Sequence, residues 1–316
     1  MGTMTSKPMR ILSRRQAIAA ALLGSRSLTI PAKGLDGLQL AVGGGRIDVN
    51  FPSGSFRGGS DAIRQWILDA AQSVAGYFGR FPVPRAVIEV DLQVGRKGVF
   101  GGVTYGDVPA RTKIAVGERT SAEDLRNDWT MTHELTHMAF PNVPRQHHWI
   151  EEGIATYVEP VARAQAGLLP VEEVWEEMLR DMPKGLPGSD ARGLDQTHSW
   201  ANTYWGGALF CLLADVQFRE RTSNRRGLQH ALRGILKAGG NIQVEWPLAR
   251  ALQIGDDSVG VPVLMELYGR MKDTPVSTDL PGLWKRLGVS ATGQGVAFLP
   301  DAELSAIRTA ITAKLD

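Results

Sequence analysis

The chain has 316 residues, of which 43% are hydrophobic and 22% charged, and its formal net charge at pH 7 is +2. These proportions belong to a globular chain rather than a disordered one, and so small a charge gives no reason to expect nucleic acid or an acidic membrane as partner. A single cysteine, Cys211, excludes an internal disulfide, and no apolar run approaches the roughly 18 residues of a membrane span.

In chain order, "MRILSRRQAIAAALLGS" sets Arg14 and Arg15 ahead of the short apolar run Ala17–Leu23. A basic region before a short apolar one has the form of an export signal, and paired arginines mark the twin-arginine route; a flexible basic arm is the alternative. Residues 1–34 therefore stand apart from the fold. The first reading places the protein in the periplasm or beyond, the second in the cytoplasm. Residues 35–120 read as a β-rich N-terminal lobe. "LQLAVGGGRIDVNFP" gives one or two short strands about a turn, and "AVIEVDLQV" alternates as a half-buried strand does. "GVFGGVTYG" and "TKIAVG" are further short strands. Between them, residues 61–79 repeat Ile63, Trp66, Ile67, Ala70, Val74, Tyr77 and Phe78 at helical spacing.

From Ser121, with Glu123 and Asp124 in the following turn, the pattern predicts one helix as far as Phe140, where "PNVP" stops it. Helices are then expected over 148–167, 171–182, 200–222 and 225–238, and shorter ones near 259–272, 280–287 and 301–313. Residues 121–316 thus form a mostly helical lobe, the fold class is α+β, and the junction of the lobes is a natural place for a cleft. Cys211 lies in "ALFCLLADV" and reads as a small buried hydrophobe.

The first helix of the second lobe carries "HELTH". On a helix, His133 and His137 lie about 40° apart around the axis and one turn along it, so both imidazoles can converge on one tetrahedral ion. Glu134 points about 100° away from His133, where it can serve a water rather than the ion. Met131, Leu135, Met138 and Ala139 argue that this helix is largely buried, and buried His and Glu need partners. The arrangement H-E-x-x-H-x-x-G-x-x-H is excluded, because Phe140 and Val143 fill the positions of its glycine and third histidine. Glu152, on the next helix, is the candidate third ligand: two His and one carboxylate leave a fourth position for water, which is the catalytic pattern. Glu151 is its competitor and is expected to face solvent. His147 and His148 fall in a turn and are expected to be exposed polar residues; His198 and His230 read as surface or supporting residues.

"THELTH" followed by "WIEEGIATYVE" resembles the gluzincin metallopeptidases, in particular the aminopeptidase N and glycyl aminopeptidase branches, whose pattern is H-E-x-x-H and then W-[LI]-x-E-G-x-A-x-Y-x-E. The resemblance implies a thermolysin-like zincin fold, with one Zn2+ held between the lobes by His133, His137 and Glu152 and with Glu134 as base. Glu159, also in the pattern, lies two turns beyond Glu152 on the same face, placed to support a ligand imidazole. "ANTYWGGALFCLLADVQFRERT" is similar to the family segment Y-x-K-G with its long apolar helix, which makes Tyr204 the counterpart of an oxyanion donor; Gly206 replaces the usual lysine. A neutral phenol at a helix start suits that task.

The resemblance fails at "GGVTY". Those aminopeptidases carry G-x-[ML]-E-[NH] at this distance before the first His, and its glutamate holds the substrate's α-amine; here Thr104 stands in its place. A hydroxyl is a poor substitute for a charged partner of an ammonium group, so N-terminal specificity is expected to be weakened, with Gly101, Gly102 and Thr104 remaining candidate substrate-binding residues. The expected activity is hydrolysis of a peptide or protein substrate by a Glu134-activated, zinc-bound water. Two alternatives stay open: an exported zinc-binding protein of peptidase fold without turnover, and a zinc hydrolase of a non-peptide substrate.

Overall fold

A computed structural model describes residues 37–51 and 56–314; the arginine pair and apolar run of the N-terminus lie outside the described residues. The chain begins with a hairpin of β1 (Leu38–Val42) and β2 (Gly45–Asn50). Its two-residue turn uses Gly43 and Gly44, both at positive φ, as the twist of a tight hairpin requires. Then come α1 (Ser60–Phe78), β3 (Arg85–Gln93), β4 (Val99–Tyr105) and β5 (Ala110–Gly117). The strands form one mixed sheet in the order β1-β2-β3-β5-β4. α1 is the crossover between the parallel strands β2 and β3, and it lays Ile63, Trp66, Ile67, Ala70 and Val74 into the core.

Alternation sets the register. Ala86, Ile88 and Val90 of β3 are buried beside Ala110, Thr112 and Ile114 of β5, while Glu89 and Lys113 face outward. β4 runs antiparallel to β5 at the sheet edge and pairs Thr104 with Thr112. A bulge between Val99 and Gly101, with Gly101 at φ 133°, re-aims this edge strand.

The single helix expected over 121–140 is two. α2 (Ala122–Arg126) opens on a reciprocal cap between Ser121 and Asp124. The chain then restarts as α3 (Thr130–His137), because Asp128 accepts both the backbone N–H and the hydroxyl of Thr130 and so caps a new helix. α4 (His148–Gln165), α5 (Val171–Asp181) and α6 (Gly207–Arg221) follow. The segment expected to be helical from residue 200 contains a π-helical turn, Asn202–Gly206, before α6. α7 (Leu228–Lys237), α8 (Leu248–Val259), α9 (Val263–Met271), α10 (Leu280–Leu287), the hairpin β6 (Val289–Thr292) with β7 (Gly295–Phe298), and α11 (Ser305–Ile311) complete the chain. α8 and the β6–β7 hairpin were not among the expected elements.

Buried side chains of the sheet, of α1 and of the later helices belong to one continuous hydrophobic cluster, in which Cys211 is buried. α3 sits within it, packed against α1, α4 and β4. Among the described residues no helix is long and apolar enough to cross a membrane.

Candidate metal centre

α3 is buried from Thr130 to Thr136, so the polar side chains of its inner face must find partners within the protein. After His137 the chain turns through Pro141–Gln146 and returns as α4. This turn is pinned from the far side: Asn142 exchanges backbone hydrogen bonds with Val244 and Trp246, and its side-chain amide donates to the carbonyl of Ile242. α4 then brings Glu152 back over α3. Glu152 Oε2 lies 3.3 Å from His133 Nε2 and 3.7 Å from His137 Nε2. The rings of the two histidines meet edge to face, with centroids 4.9 Å apart.

The ligand atoms of His133, His137 and Glu152 all lie within 4.8 Å of one another, and the group could hold a metal ion. Two imidazole nitrogens and one carboxylate oxygen are a donor set suited to zinc. Their ionisation agrees with that use. Burial drives His137 down to about 4, so its imidazole is neutral near pH 7, the form that binds metal. Burial alone would raise Glu152, but His137, His133 and His148 outweigh it and hold the carboxyl well below its ordinary range. Nδ1 of His133 is buried with no hydrogen-bond partner among the described residues, and the ring is held between its Nε2 contact with Glu152, Trp129 edge-on at 5.4 Å, and Tyr204.

Glu134 projects from α3 toward β4. Its Oε2 is 2.9 Å from the hydroxyl of Thr104, and its side chain lies against Gly102. Burial raises its carboxyl to about 7, against the opposing influence of His133 and of the Thr104 hydrogen bond. Tyr204, in the π-helical turn, lies nearly parallel to the ring of His133 at 6.2 Å and stacks on Trp200 at 5.5 Å. It reaches this place because α4 and α6 touch backbone to backbone: any side chain on Gly153 would collide with Gly207, and any on Gly207 with the carbonyl of Trp149. Gly102, Thr104, His133, Glu134, His137, Glu152 and Tyr204 all line one cavity of about 330 Å³, whose apolar wall includes Val103, Phe140, Ile154 and Ile242.

Gly101, at the bulge, is not among the residues that line this cavity. Glu159 is buried in an ion pair with Arg163 at 2.9 Å. His147 is not the exposed turn residue expected. It is buried and shares Asp195 Oδ1 with the indole N–H of Trp149, while Tyr268 donates to Asp195 Oδ2. Glu151 does not face open solvent either: it accepts from the backbone N–H of Val143 and from His148 Nδ1. His148 is exposed, yet its Nε2 is 3.3 Å from Glu152 Oε1, so it braces the far side of the candidate ligand. Its position four residues before Glu152 on one helix was the signal that could have revealed it. Hydrogen bonds that the His148 imidazole donates to Glu151 and Glu152 raise it to about 10. His230 accepts the N–H of Gly227 at the start of α7, and His198 lies at the surface.

No protein-family model matches the sequence, and no curated protein matches it. Solved structures do. An aminopeptidase N family protein from Idiomarina loihiensis aligns with 81% of this chain and 49% of its own, at 15% identity and a TM-score of 0.58. The M1 zinc metallopeptidase from Deinococcus radiodurans aligns with 78% of this chain and 53% of its own, at 16% identity and a TM-score of 0.48. The chain therefore spans about half the length of these proteins. At such identity the first likeness establishes a shared fold, that of the aminopeptidase N family.

Proposed function

We propose that the protein is a zinc-dependent peptidase of gluzincin type, with His133, His137 and Glu152 as metal ligands and Glu134 as general base. The observation that carries this reading is the convergence of the three ligand atoms in a cavity that Glu134 also lines. A zinc ion held there would supply Lewis-acid polarisation of the scissile carbonyl and make a water acidic enough to attack it near neutral pH. Glu134, raised to about 7 by burial, is poised to take a proton from that water and to give it to the departing amine nitrogen. The new C–O bond forms first, with charge moving onto the carbonyl oxygen, and the C–N bond then breaks, yielding a carboxylic acid and an amine. Tyr204, which lines the same cavity, would donate its phenolic hydrogen to the carbonyl oxygen as negative charge gathers there. Arg163, paired with Glu159, ties α4 to the end of α2 by donating to the carbonyl of Arg126.

In this reading residues 35–120 and 121–316 are the two lobes of a thermolysin-like arrangement, and the substrate is a peptide or protein lying along the cavity. Export through a twin-arginine signal in residues 1–34 belongs to the same proposal. The test is zinc content together with digestion of a mixed peptide library, for the wild type beside Glu134→Gln and Glu152→Ala. Zinc near one per chain in wild type and Glu134→Gln, its loss in Glu152→Ala, and cleavage by the wild type alone are expected. Cleavage that survives both chelation and Glu134→Gln would refute the assignment.

A further inference from the structure

The hydroxyl of Thr104 has three oxygens within reach: Glu134 Oε2 at 2.9 Å, the backbone carbonyl of Glu134 at 3.0 Å and Thr112 Oγ1 at 2.9 Å. It has one proton to give. An ionised carboxylate and a carbonyl can only accept, so that proton goes to Glu134, and the Thr112 hydroxyl must be the donor to Thr104. Thr112 is fully buried and directly opposite Thr104 in the β4–β5 register. The result is a one-way chain of hydrogen bonds, Thr112 to Thr104 to Glu134, anchored in the sheet core. Gly102, two residues earlier on the same face of β4, leaves the space into which Glu134 is drawn.

We propose that Thr104 is a positioning residue for Glu134, holding its carboxylate by one oxygen. The proposal rests on the peptidase reading above.

The test uses the zinc-loaded full chain and a fluorogenic form of a peptide that the wild type cleaves from a mixed library. Thr104→Val should lower kcat about tenfold or more, the cost of one hydrogen bond to a charged group. KM should stay within about twofold, because substrate binding is not what is lost. Zinc affinity, measured by competition with a chelating dye, should not change, and Thr104→Ser should recover most of the rate. A Thr104→Val protein with wild-type kcat beside an inactive Glu134→Gln would overturn the positioning role, as would a loss confined to KM or a serine that fails to rescue. A wild type that binds zinc and cleaves no peptide of the library removes the peptidase reading, and the proposal with it.

Discussion

The Cα of Gly102 lies so close to the side chain of Glu134 that a methyl group there would sit 2.5 Å from Glu134 Cγ. The edge strand and the central helix meet at these two residues, one without a side chain so that the other can have its place.

Gly102→Ala should therefore separate turnover from stability. The obstacle is a side chain rather than backbone, so Glu134 can swing aside at little cost to folding, within about 1 kcal/mol. It would, however, leave the Thr104 hydroxyl. A displacement of about 1 Å in a reacting group costs on the order of a hundredfold in rate. Parallel measurement of kcat and thermal midpoint checks this: the first should collapse and the second barely move.

Gly153→Ala should do the reverse. A methyl group there would run into the backbone of Gly207, which cannot rotate away. Forcing α4 and α6 apart is overpacking of a dense core, worth about 3 kcal/mol, and it carries the adjacent Glu152 with it. Urea unfolding should show the destabilisation, and zinc competition a weakened site.

Zinc should stabilise the folded chain by binding to it alone. At a thousandfold excess over Kd the gain is about 4 kcal/mol, which is on the order of 10 °C in thermal midpoint for a domain of this size. Scanning with zinc, with chelator and with His137→Ala checks this. The variant should melt at the chelator-treated midpoint whether or not metal is added.

Asp128 sets a stability slope at mildly acid pH. Burial raises its carboxyl to about 6, against its bonds to Thr130 and the nearby Arg163, while the unfolded chain titrates near 3.9. Between those values the folded protein holds a proton that the unfolded chain has released. The contribution of this group to stability is greatest below about pH 4 and falls as pH rises to about 6, by on the order of 3 kcal/mol. Asp128→Asn keeps an acceptor for the Thr130 N–H and should remove that slope. The difference between the two proteins' urea stabilities across pH 4–7 is the measurement.

What the sequence disclosed were features governed by spacing within one element. His133, Glu134 and His137 are fixed relative to each other by helical geometry alone, and the β3 alternation by the pleat. The break at Asn127–Trp129 was hidden because the apolar pattern continues through it; only the Asp128 cap reveals it. α8 was missed because "GDDSV" breaks its pattern near the end. Asp256 is there to cap the next helix, accepting the N–H groups of Val263, Leu264 and Met265. The burial of His147 depends on Asp195 and Tyr268, and the task of Thr104 on a cross-strand partner and a helix 30 residues away. Contacts of that range leave no periodic trace in a sequence.

The backbone contact of Gly153 with Gly207 also bears on motion. With not even a methyl's clearance between them, these two helices cannot slide past one another, and the carboxylate and phenol they carry travel as one rigid wall. Whatever accommodates guests of differing bulk must be the opposite bank, where a border strand is paired on one flank only.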